Sequence, residues 1–435
     1  MSTLVMIVDD EPGILTSLSA VLADEGYETV CADSGERAVE LYRERSPAVV
    51  LLDIWLPDRD GLETLQALRA EDPGAAVVMM SGHGTAATAV KAIKLGAVDY
   101  VEKPLSYSQA VSAVEAALEF RRALESDPTL RAAVGPVAAP SEAHRRLEPP
   151  PRLPIVRQGS EPQRTLRSSM VLYGLGLHSG TRTGMALQPL PPDTGIHFVT
   201  LPSNTFIPGH VDSVAETDYA TTLSKQGASI KTVEHLLSAL HARGITNLLV
   251  KVHGEIPVLD GSALEFCQAL DDIGVEEQGA PRWELVIDRE YSVEGDGGKR
   301  LSIEPCDGFE VSYHLSYPPP VGDQEFSFRL DGWQGYREQV APARTFGFLK
   351  DLKMMNELGL ATGGRLDNCI LVAEDGVVNT ELRFPDEFAR HKVLDIVGDL
   401  YLLGFPIRGR VHGHVTGHRM NIALLREIQR RAGTG

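Results

Sequence analysis

The stretch Val49-Val50-Leu51-Leu52-Asp53-Ile54 decides the fold of the first part of this chain. Its four consecutive apolar residues leave no polar face, which is typical of a strand covered on both faces of a parallel sheet. Similar apolar runs, separated by amphipathic helical segments, occupy residues 4–8, 27–32, 76–80 and 98–101. This alternation predicts that residues 1–122 form an α/β domain built on a five-stranded parallel sheet.

Carboxylates collect where the strands of this predicted sheet end. Asp9 and Asp10 follow the first run, and Asp53 closes the third. The carboxyl ends of parallel strands meet at one edge of a sheet, where ligands bind, and oxygen ligands favour Mg²⁺. Ser81 and Lys103 end the fourth and fifth strands. They would offer a hydroxyl and an ammonium group to a transferred phosphoryl group.

These residues resemble the receiver domain of bacterial two-component response regulators of the nitrogen-regulation type, which has a flavodoxin-like fold. The resemblance rests on Val8-Asp9-Asp10-Glu11, Leu52-Asp53-Ile54-Trp55-Leu56-Pro57-Asp58, Met80-Ser81-Gly82-His83-Gly84 and Tyr100-Val101-Glu102-Lys103-Pro104. It implies that Asp53 is the phosphoacceptor and helps Asp9 and Asp10 to hold Mg²⁺. Ser81 and Lys103 would then contact the phosphoryl group, and Tyr100 would be the aromatic switch.

The receiver resemblance also implies partners. A sensor histidine kinase or a small acyl-phosphate donor would supply the phosphoryl group, and two chains could form a homodimer through the receiver. The alternative is a receiver that has lost phosphorylation and only pairs with partners. Residues 1–120 carry 20 acidic and 8 basic side chains, a net charge that repels phosphate backbones, so no binding to nucleic acid is expected.

A second stretch, Arg390-His391-Lys392-Val393-Leu394-Asp395-Ile396-Val397-Gly398-Asp399, indicates chemistry of another kind. Four-residue spacing places His391, Asp395 and Asp399 on one face of a helix. Glu234 and His235 stand together where another helix is predicted to begin. His235, His391 and Asp395 would form a three-ligand zinc site whose fourth position is open to water, as hydrolases use.

From about residue 164 the chain resembles bacterial UDP-3-O-acyl-N-acetylglucosamine deacetylases, which commit their substrate to lipid A synthesis. Several separated motifs carry this resemblance in order: 176–180 (GLHSG), 232–235 (TVEH), 257–262 (PVLDGS), 343–348 (ARTFGF), 363–368 (GGRLDN), 390–395 (RHKVLD) and 416–421 (TGHRMN). The resemblance implies zinc-dependent hydrolysis of the N-acetyl group of UDP-3-O-acyl-N-acetylglucosamine. The attached receiver, which is not part of the usual enzyme, predicts that phosphorylation modulates this reaction.

The proposed reaction gives each catalytic side chain a role. Glu234 would take the proton of the attacking water, as the glutamate of HExxH sites does. The Thr345 hydroxyl would stabilise the oxyanion. His418, kept cationic by Asp399, would serve the leaving amine. Lys392 would meet the phosphates or the carbonyl of the substrate.

The same resemblance implies residues that bind the substrate. His178 would lie near the active site, and Phe346 would pack beside the sugar. The apolar insert of residues 349–361, which includes Leu352 and Ala361, would form a passage for the acyl chain, although its periodicity equally fits an ordinary helix core. The run 411–415 places His412 and His414 on one face of a strand. This spacing would allow a second metal site, but a partly exposed pair without a ligand is the expected state.

The rest of the chain is organised around these two regions. Residues 123–163 are predicted to be a linker, because this part of the chain is rich in proline and lacks periodicity. Alternating strand patterns and isolated helices then predict an α+β region of two layers and two similar halves, residues 164–282 and 283–435. That region leaves no room for a helix-turn-helix module.

Composition excludes several other classes of protein. The chain has 435 residues, of which 43% are hydrophobic, and a net charge of −19. No apolar run approaches the ~20 residues of a spanning helix, and the N-terminus lacks the features of a signal peptide. A cytoplasmic protein with at most peripheral membrane contact is expected. The rival to an enzyme is a phosphorylation-controlled signalling or scaffold protein whose deacetylase-like half senses the nucleotide lipid without turning it over.

Overall fold

The computed structural model describes residues 3–81, 92, 95–103, 105, 107–126, 147, 149–200, 205–357 and 360–432. The chain separates into two compact units, Met1–Ala138 and Ala139–Gly435. Within the described ranges, no helix is both long enough and apolar enough to cross a membrane.

The first unit is the predicted α/β domain. Its elements are β1 (Leu4–Val8), α1 (Pro12–Asp24), β2 (Glu28–Ala32), α2 (Gly35–Arg45), β3 (Val49–Asp53), α3 (Gly61–Glu71), β4 (Val77–Ser81), β5 (Asp99–Glu102) and α4 (Tyr107–Ser126). The five strands pair in parallel in the order β2-β1-β3-β4-β5. Every residue of β3 and β4 is buried, which confirms the prediction made from their apolar runs.

The second unit is an α+β structure. Its first half contains β6 (Val156–Leu166), β7 (Met170–Leu175), β8 (Arg182–Pro189), β9 (Ile196–Thr200), β10 (Thr205–Pro208), β11 (Val214–Glu216), β12 (Thr222–Lys225), β13 (Ala228–Ile230), α5 (Glu234–Arg243), β14 (Leu248–Val252) and α6 (Leu264–Ile273). Strands β7 to β10 and β14 form a sheet in the order β10-β9-β14-β8-β7, and β11 to β13 form a smaller one.

The second half also consists of a sheet and helices. It contains β15 (Val275–Val286), β16 (Tyr291–Glu294), β17 (Arg300–Glu304), β18 (Phe309–Ser316), β19 (Asp323–Arg329), α7 (Trp333–Gln339), β20 (Phe346–Phe348), α8 (Leu352–Glu357), β21 (Ile370–Val372), α9 (Glu387–Leu400), β22 (Ile407–His414) and α10 (His418–Ala432). Its sheet has the order β16-β17-β22-β15-β6, and β18 joins β22 to β19. Helices α5 and α9 pack against each other within one hydrophobic core that draws on both halves.

Two predicted boundaries fall inside regular elements. Residues 156–163 of the predicted linker lie in β6, which pairs antiparallel with β15. The boundary at 282/283 lies within β15 itself. Strand β6 ends the strand order of its sheet, a position at which a proline such as Pro162 is tolerated. The division into a linker and two halves otherwise stays a prediction.

Candidate active site

The acidic pocket of the first unit gathers three of the predicted side chains. The Lys103 ammonium lies 2.6 Å from Asp9 Oδ2 and 3.1 Å from Asp53 Oδ2. Asp9 and Asp53 are buried, whereas Asp10 is exposed at the rim. Oxygen atoms of these three aspartates lie within 4.8 Å of one another, so they could ligate one cation. Burial raises the pKa of Asp53, although the Lys103 ammonium opposes this shift.

Two hydroxyl groups, one on β4 and one on β5, are buried. Among the described residues, neither Ser81 Oγ nor Tyr100 Oη has a hydrogen-bond partner. Buried polar atoms are rarely left unpaired. Ser81 ends β4, the strand that pairs with β3 and its Asp53, so its hydroxyl suits a hydrogen bond to a phosphoryl group bound there. Residues 82–84 and 104 of the quoted motifs lie outside the described residues. The phosphoryl contacts stay a prediction.

Helices α5 and α9 bring the three predicted zinc ligands together in the second unit. Asp395 Oδ1 lies 3.8 Å from His235 Nε2 and 3.6 Å from His391 Nε2. Ligands about 2.1 Å from a tetrahedral zinc would be about 3.4 Å apart, so small shifts would close the site around the ion. All three residues are buried, and within the described chain Asp395 Oδ1 has no hydrogen-bond partner.

The electrostatics of this group also fit a cation. Burial lowers the pKa of His235 to about 3 and that of His391 to about 4, so both imidazoles stay neutral and keep a lone pair. His391 Nδ1 lies 3.1 Å from the Ala343 carbonyl, a contact that directs Nε2 toward Asp395. Burial would raise the pKa of Asp395, but Lys392, whose Nζ lies 2.7 Å from Asp395 Oδ2, and the nearby histidines hold it below its usual range.

A glycine allows α5 and α9, which carry the predicted ligands, to approach each other. A Cβ atom on Gly398 would lie 2.0 Å from the Glu234 carbonyl oxygen and 3.0 Å from Ser238 N. The Ser238 hydroxyl donates to the Leu394 carbonyl at 2.8 Å, which ties α5 to α9 across the same contact. The ligand geometry therefore depends on a residue without a side chain at position 398.

Glu234 and His418 face each other beside the three ligands. Glu234 Oε1 lies 3.8 Å from His418 Nε2. Burial, reinforced by neighbouring carboxylates, raises the pKa of Glu234 to about 8. Burial alone would lower the pKa of His418, but Asp399, Asp395 and Glu234 raise it to about 10. A carboxyl group with a raised pKa thus faces a cationic imidazole.

Asp399 orients His418, and two residues that the sequence analysis missed assist it. His418 Nδ1 lies 2.8 Å from Asp399 Oδ2, and Asn421 Nδ2 donates to the same oxygen at 2.8 Å. The Thr221 hydroxyl donates to Asp399 Oδ1 at 2.6 Å. Asn421 stands three residues after His418 on α10, so helical spacing could have indicated it. Thr221 is distant in sequence and gave no such signal.

His178 is placed by a third missed residue, Glu255. The buried Glu255 carboxylate accepts hydrogen bonds of 2.9 Å each from His178 N, Ser179 N and the Thr232 hydroxyl. Both ring nitrogens of the buried His178 lack a partner among the described residues, which suits a side chain that waits for a ligand. The Thr362 hydroxyl donates to the His178 carbonyl at 2.6 Å, so the segment after Ala361 packs against this loop.

The remaining predicted residues surround the three ligands less closely. The Phe346 ring lies 6.0 Å from the His391 ring, and Lys392 Nζ lies 5.5 Å from the Phe346 centroid. Thr345 is held by its backbone N–H, which donates to the Gly261 carbonyl at 2.7 Å. Leu352 is 38% exposed in the insert. The passage for an acyl chain stays a prediction.

His412 and His414 share a face of β22 but contact different neighbours. His412 Nε2 lies 3.3 Å from Glu304 Oε1, and His414 Nδ1 lies 3.1 Å from His314 Nδ1. Within the described ranges, metal-ligand spacing is found in the two groups already described and not at this pair.

Comparisons with known proteins match the two units of the chain to two different families. A model of the receiver domain family of response regulators matches residues 5–115. A model described as UDP-3-O-acyl N-acetylglycosamine deacetylase matches residues 163–430. The receiver of NtrX from Brucella abortus is 41% identical, with a TM-score of 0.26, and the match covers 26% of this chain and 98% of that one.

Curated proteins named UDP-3-O-acyl-N-acetylglucosamine deacetylase are similar to the second unit. The protein from Myxococcus xanthus is 44% identical over 63% of this chain and 88% of its own length. The protein from Anaeromyxobacter dehalogenans is 43% identical over 61% of this chain and 87% of its own length.

Fold and site together define a class: a receiver domain followed by an α+β domain in which a buried group that could hold a metal ion, His235, His391 and Asp395, lies beside Glu234 and His418. Within that class, the chain belongs to the UDP-3-O-acyl N-acetylglycosamine deacetylase family.

Proposed function

We propose that the second unit hydrolyses the N-acetyl group of UDP-3-O-acyl-N-acetylglucosamine, the committed step of lipid A synthesis, with the aid of zinc. The observation that carries this proposal is the placement of Glu234 and His418 on either side of a 3.8 Å gap beside His235, His391 and Asp395. The names of the relatives supply the substrate.

The reaction begins with attack of water on the acetyl carbonyl. When bound to His235, His391 and Asp395, zinc would polarise that carbonyl and lower the pKa of a bound water toward about 7. Glu234 Oε1 accepts the proton that the attacking water loses. Burial raises the pKa of Glu234, and a raised pKa makes the ionised carboxylate a stronger general base.

Collapse of the tetrahedral species breaks the C–N bond and releases acetate. His418 Nε2 donates a proton to the departing amine, and Asp399 stabilises the imidazolium through Nδ1. The Thr345 hydroxyl donates to the oxyanion that precedes cleavage, and a well-placed donor of this kind is worth about 3–4 kcal/mol. Lys392 holds Asp395 in its charged form and carries positive charge toward the substrate.

The substrate lies between the His178 loop and the insert. The free nitrogens of His178 bind polar groups of the sugar nucleotide, and the Phe346 ring packs against the sugar. The acyl chain follows the apolar insert that contains Leu352 and Ala361. The exposure of Leu352 and its neighbours Leu349 and Met354 supports this path, because solvent-facing apolar side chains of this size suit an apolar ligand.

A direct assay tests this function. Purified protein with one equivalent of zinc should release acetate from UDP-3-O-acyl-N-acetylglucosamine, and UDP-N-acetylglucosamine without the acyl chain should be a much poorer substrate. Binding of the nucleotide lipid without any release of acetate would instead identify the non-catalytic sensor.

Replacement of the base or the acid should slow turnover without loss of metal. Glu234→Gln and His418→Ala should each lower kcat by at least about 100-fold, the usual scale for a positioned acid or base. Zinc content should stay at the wild-type level, because neither residue is a ligand. His412→Ala, a control on the neighbouring strand, should keep the wild-type rate. Wild-type turnover by either test variant would remove that residue from the mechanism.

We further propose that the first unit accepts a phosphoryl group on Asp53, with Mg²⁺ held by Asp9, Asp10 and Asp53, and that this changes the output of the enzyme. The ion pair of Lys103 with Asp9 and Asp53 supports this, because a phosphoryl group on Asp53 would compete for the same ammonium. The donor would be a sensor histidine kinase or a small acyl phosphate.

Phosphorylation should change the deacetylase rate or self-association by about 5-fold or more, the range of ordinary allosteric coupling energies. The comparison uses the full chain with and without acyl phosphate, because removal of residues before 161 would cut β6. Asp53→Asn under the same conditions controls for direct effects of the donor. Identical kinetics and identical sedimentation in all samples would show that phosphorylation of the receiver does not control this enzyme.

A further inference from the structure

Thr221 makes two hydrogen bonds that no pattern in the neighbouring sequence predicts. It stands immediately before β12 and is completely buried. Its side-chain hydroxyl donates to Asp399 Oδ1 at 2.6 Å, and its backbone N–H donates to Glu234 Oε2 at 3.1 Å. One residue thus contacts the partner of the proposed acid and also the proposed base.

These contacts close a ring around the reaction centre. From Thr221 the ring passes through Glu234 to His418, across the 3.8 Å gap, and returns through Asp399. Each carboxylate uses one oxygen toward Thr221 and the other toward His418. Thr221 is therefore connected to both residues that face the gap, directly to Glu234 and through Asp399 to His418.

We propose that Thr221 is a positioning residue that sets the separation and alignment of Glu234 and His418. This inference rests on the proposed function, because it takes Glu234 as base and His418 as acid. The Thr221 hydroxyl fixes the rotamer of Asp399, and Asp399 fixes the ring of His418. The Thr221 N–H at the same time fixes the Glu234 carboxylate.

The geometry explains why a hydroxyl is needed at this position. Asp399 is completely buried and accepts from His418, Asn421 and Thr221. Without the Thr221 hydroxyl, Oδ1 would lose its donor and the carboxylate could rotate. A displacement of about 1 Å at reacting groups can cost about 100-fold in rate. Any shift of the backbone at position 221 would also move the N–H group that donates to Glu234.

The test compares Thr221→Val, which keeps the shape and removes the hydroxyl, with Thr221→Ser, which restores it. Thr222→Val is the matched control, since Thr222 is a buried neighbour outside the ring. We expect Thr221→Val to lower kcat by about 10–100-fold, the scale for groups that orient a site, with unchanged KM and zinc content. Thr221→Ser should recover most of the rate, and Thr222→Val should match the wild type.

A double variant separates positioning from general damage. If Thr221 acts through Asp399, Thr221→Val should add little to the loss already caused by Asp399→Asn, because coupled residues are not additive. Full additivity, a wild-type kcat in Thr221→Val, no recovery in Thr221→Ser, or loss of zinc in Thr221→Val would each overturn the proposal.

A readout without substrate keeps the two proposals distinguishable. Crystal structures should show the Glu234–His418 separation preserved in the wild type and Thr221→Ser, and altered in Thr221→Val. If the wild type released no acetate, the proposed function would fail, while this comparison would still decide whether Thr221 positions the pair. An unchanged separation in Thr221→Val would overturn the inference even if the wild type were active.

Discussion

Asp395→Ala should remove zinc and deacetylase activity together. Asp395 Oδ1 is the oxygen that both His235 Nε2 and His391 Nε2 face, so its loss leaves only two of the three ligands. A catalytic metal supplies several kcal/mol of transition-state stabilisation, which corresponds to a fall of at least about 1,000-fold at ~1.4 kcal/mol per tenfold. Zinc per chain and acetate release are measured on the same samples.

Two controls separate loss of metal from loss of fold. The Asp386 carboxylate lies at the start of the same helix and pairs with Arg390, which is not a ligand. The variant Asp386→Ala should therefore retain zinc and activity. Chelation of the wild type should reproduce the inactive state, and one equivalent of zinc should reverse it. Full activity in Asp395→Ala, or in wild type with verified zinc depletion, would show that the reaction does not use this site.

The parts of the site that the sequence predicted are those encoded by short-range periodicity. His391 and Asp395 are spaced to share one helix face, and Asp53 closes a fully apolar strand, so local pattern was enough to place them. Residue type placed His235 with them, because two imidazoles and a carboxylate make a zinc ligand set, although α5 and α9 are far apart in sequence. The structure then supplied the physical reason for their approach, which is the close packing at Gly398.

Two residues that orient others were not predictable in this way. Thr221 and Glu255 act through hydrogen bonds to distant segments, and a lone threonine or glutamate carries no periodic signal. Strand β6 was missed for a different reason. Its proline and charged residues resemble a linker in sequence, and only pairing with β15 at the sheet edge reveals the strand.

Asp53→Asn should abolish phosphorylation of the chain. The buried Asp53 Oδ2 lies 3.1 Å from the Lys103 ammonium, and the buried Asp9 and the exposed Asp10 could hold Mg²⁺ together with Asp53. An amide at position 53 cannot form the acyl phosphate. The change in intact mass after incubation with acetyl phosphate and Mg²⁺ should be seen in the wild type and should disappear in the variant.

Asp60→Asn is the matched control for this experiment, because it changes an acidic residue of the same loop. The Asp60 side chain accepts from Leu62 N at 2.9 Å and caps α3, a role that asparagine performs about as well. This variant should therefore be phosphorylated like the wild type. Omission of Mg²⁺ should prevent the reaction in both, since the cation neutralises the charge that collects around Asp53. Phosphate on a serine or a histidine, or undiminished labelling of Asp53→Asn, would place the phosphoacceptor elsewhere in the chain.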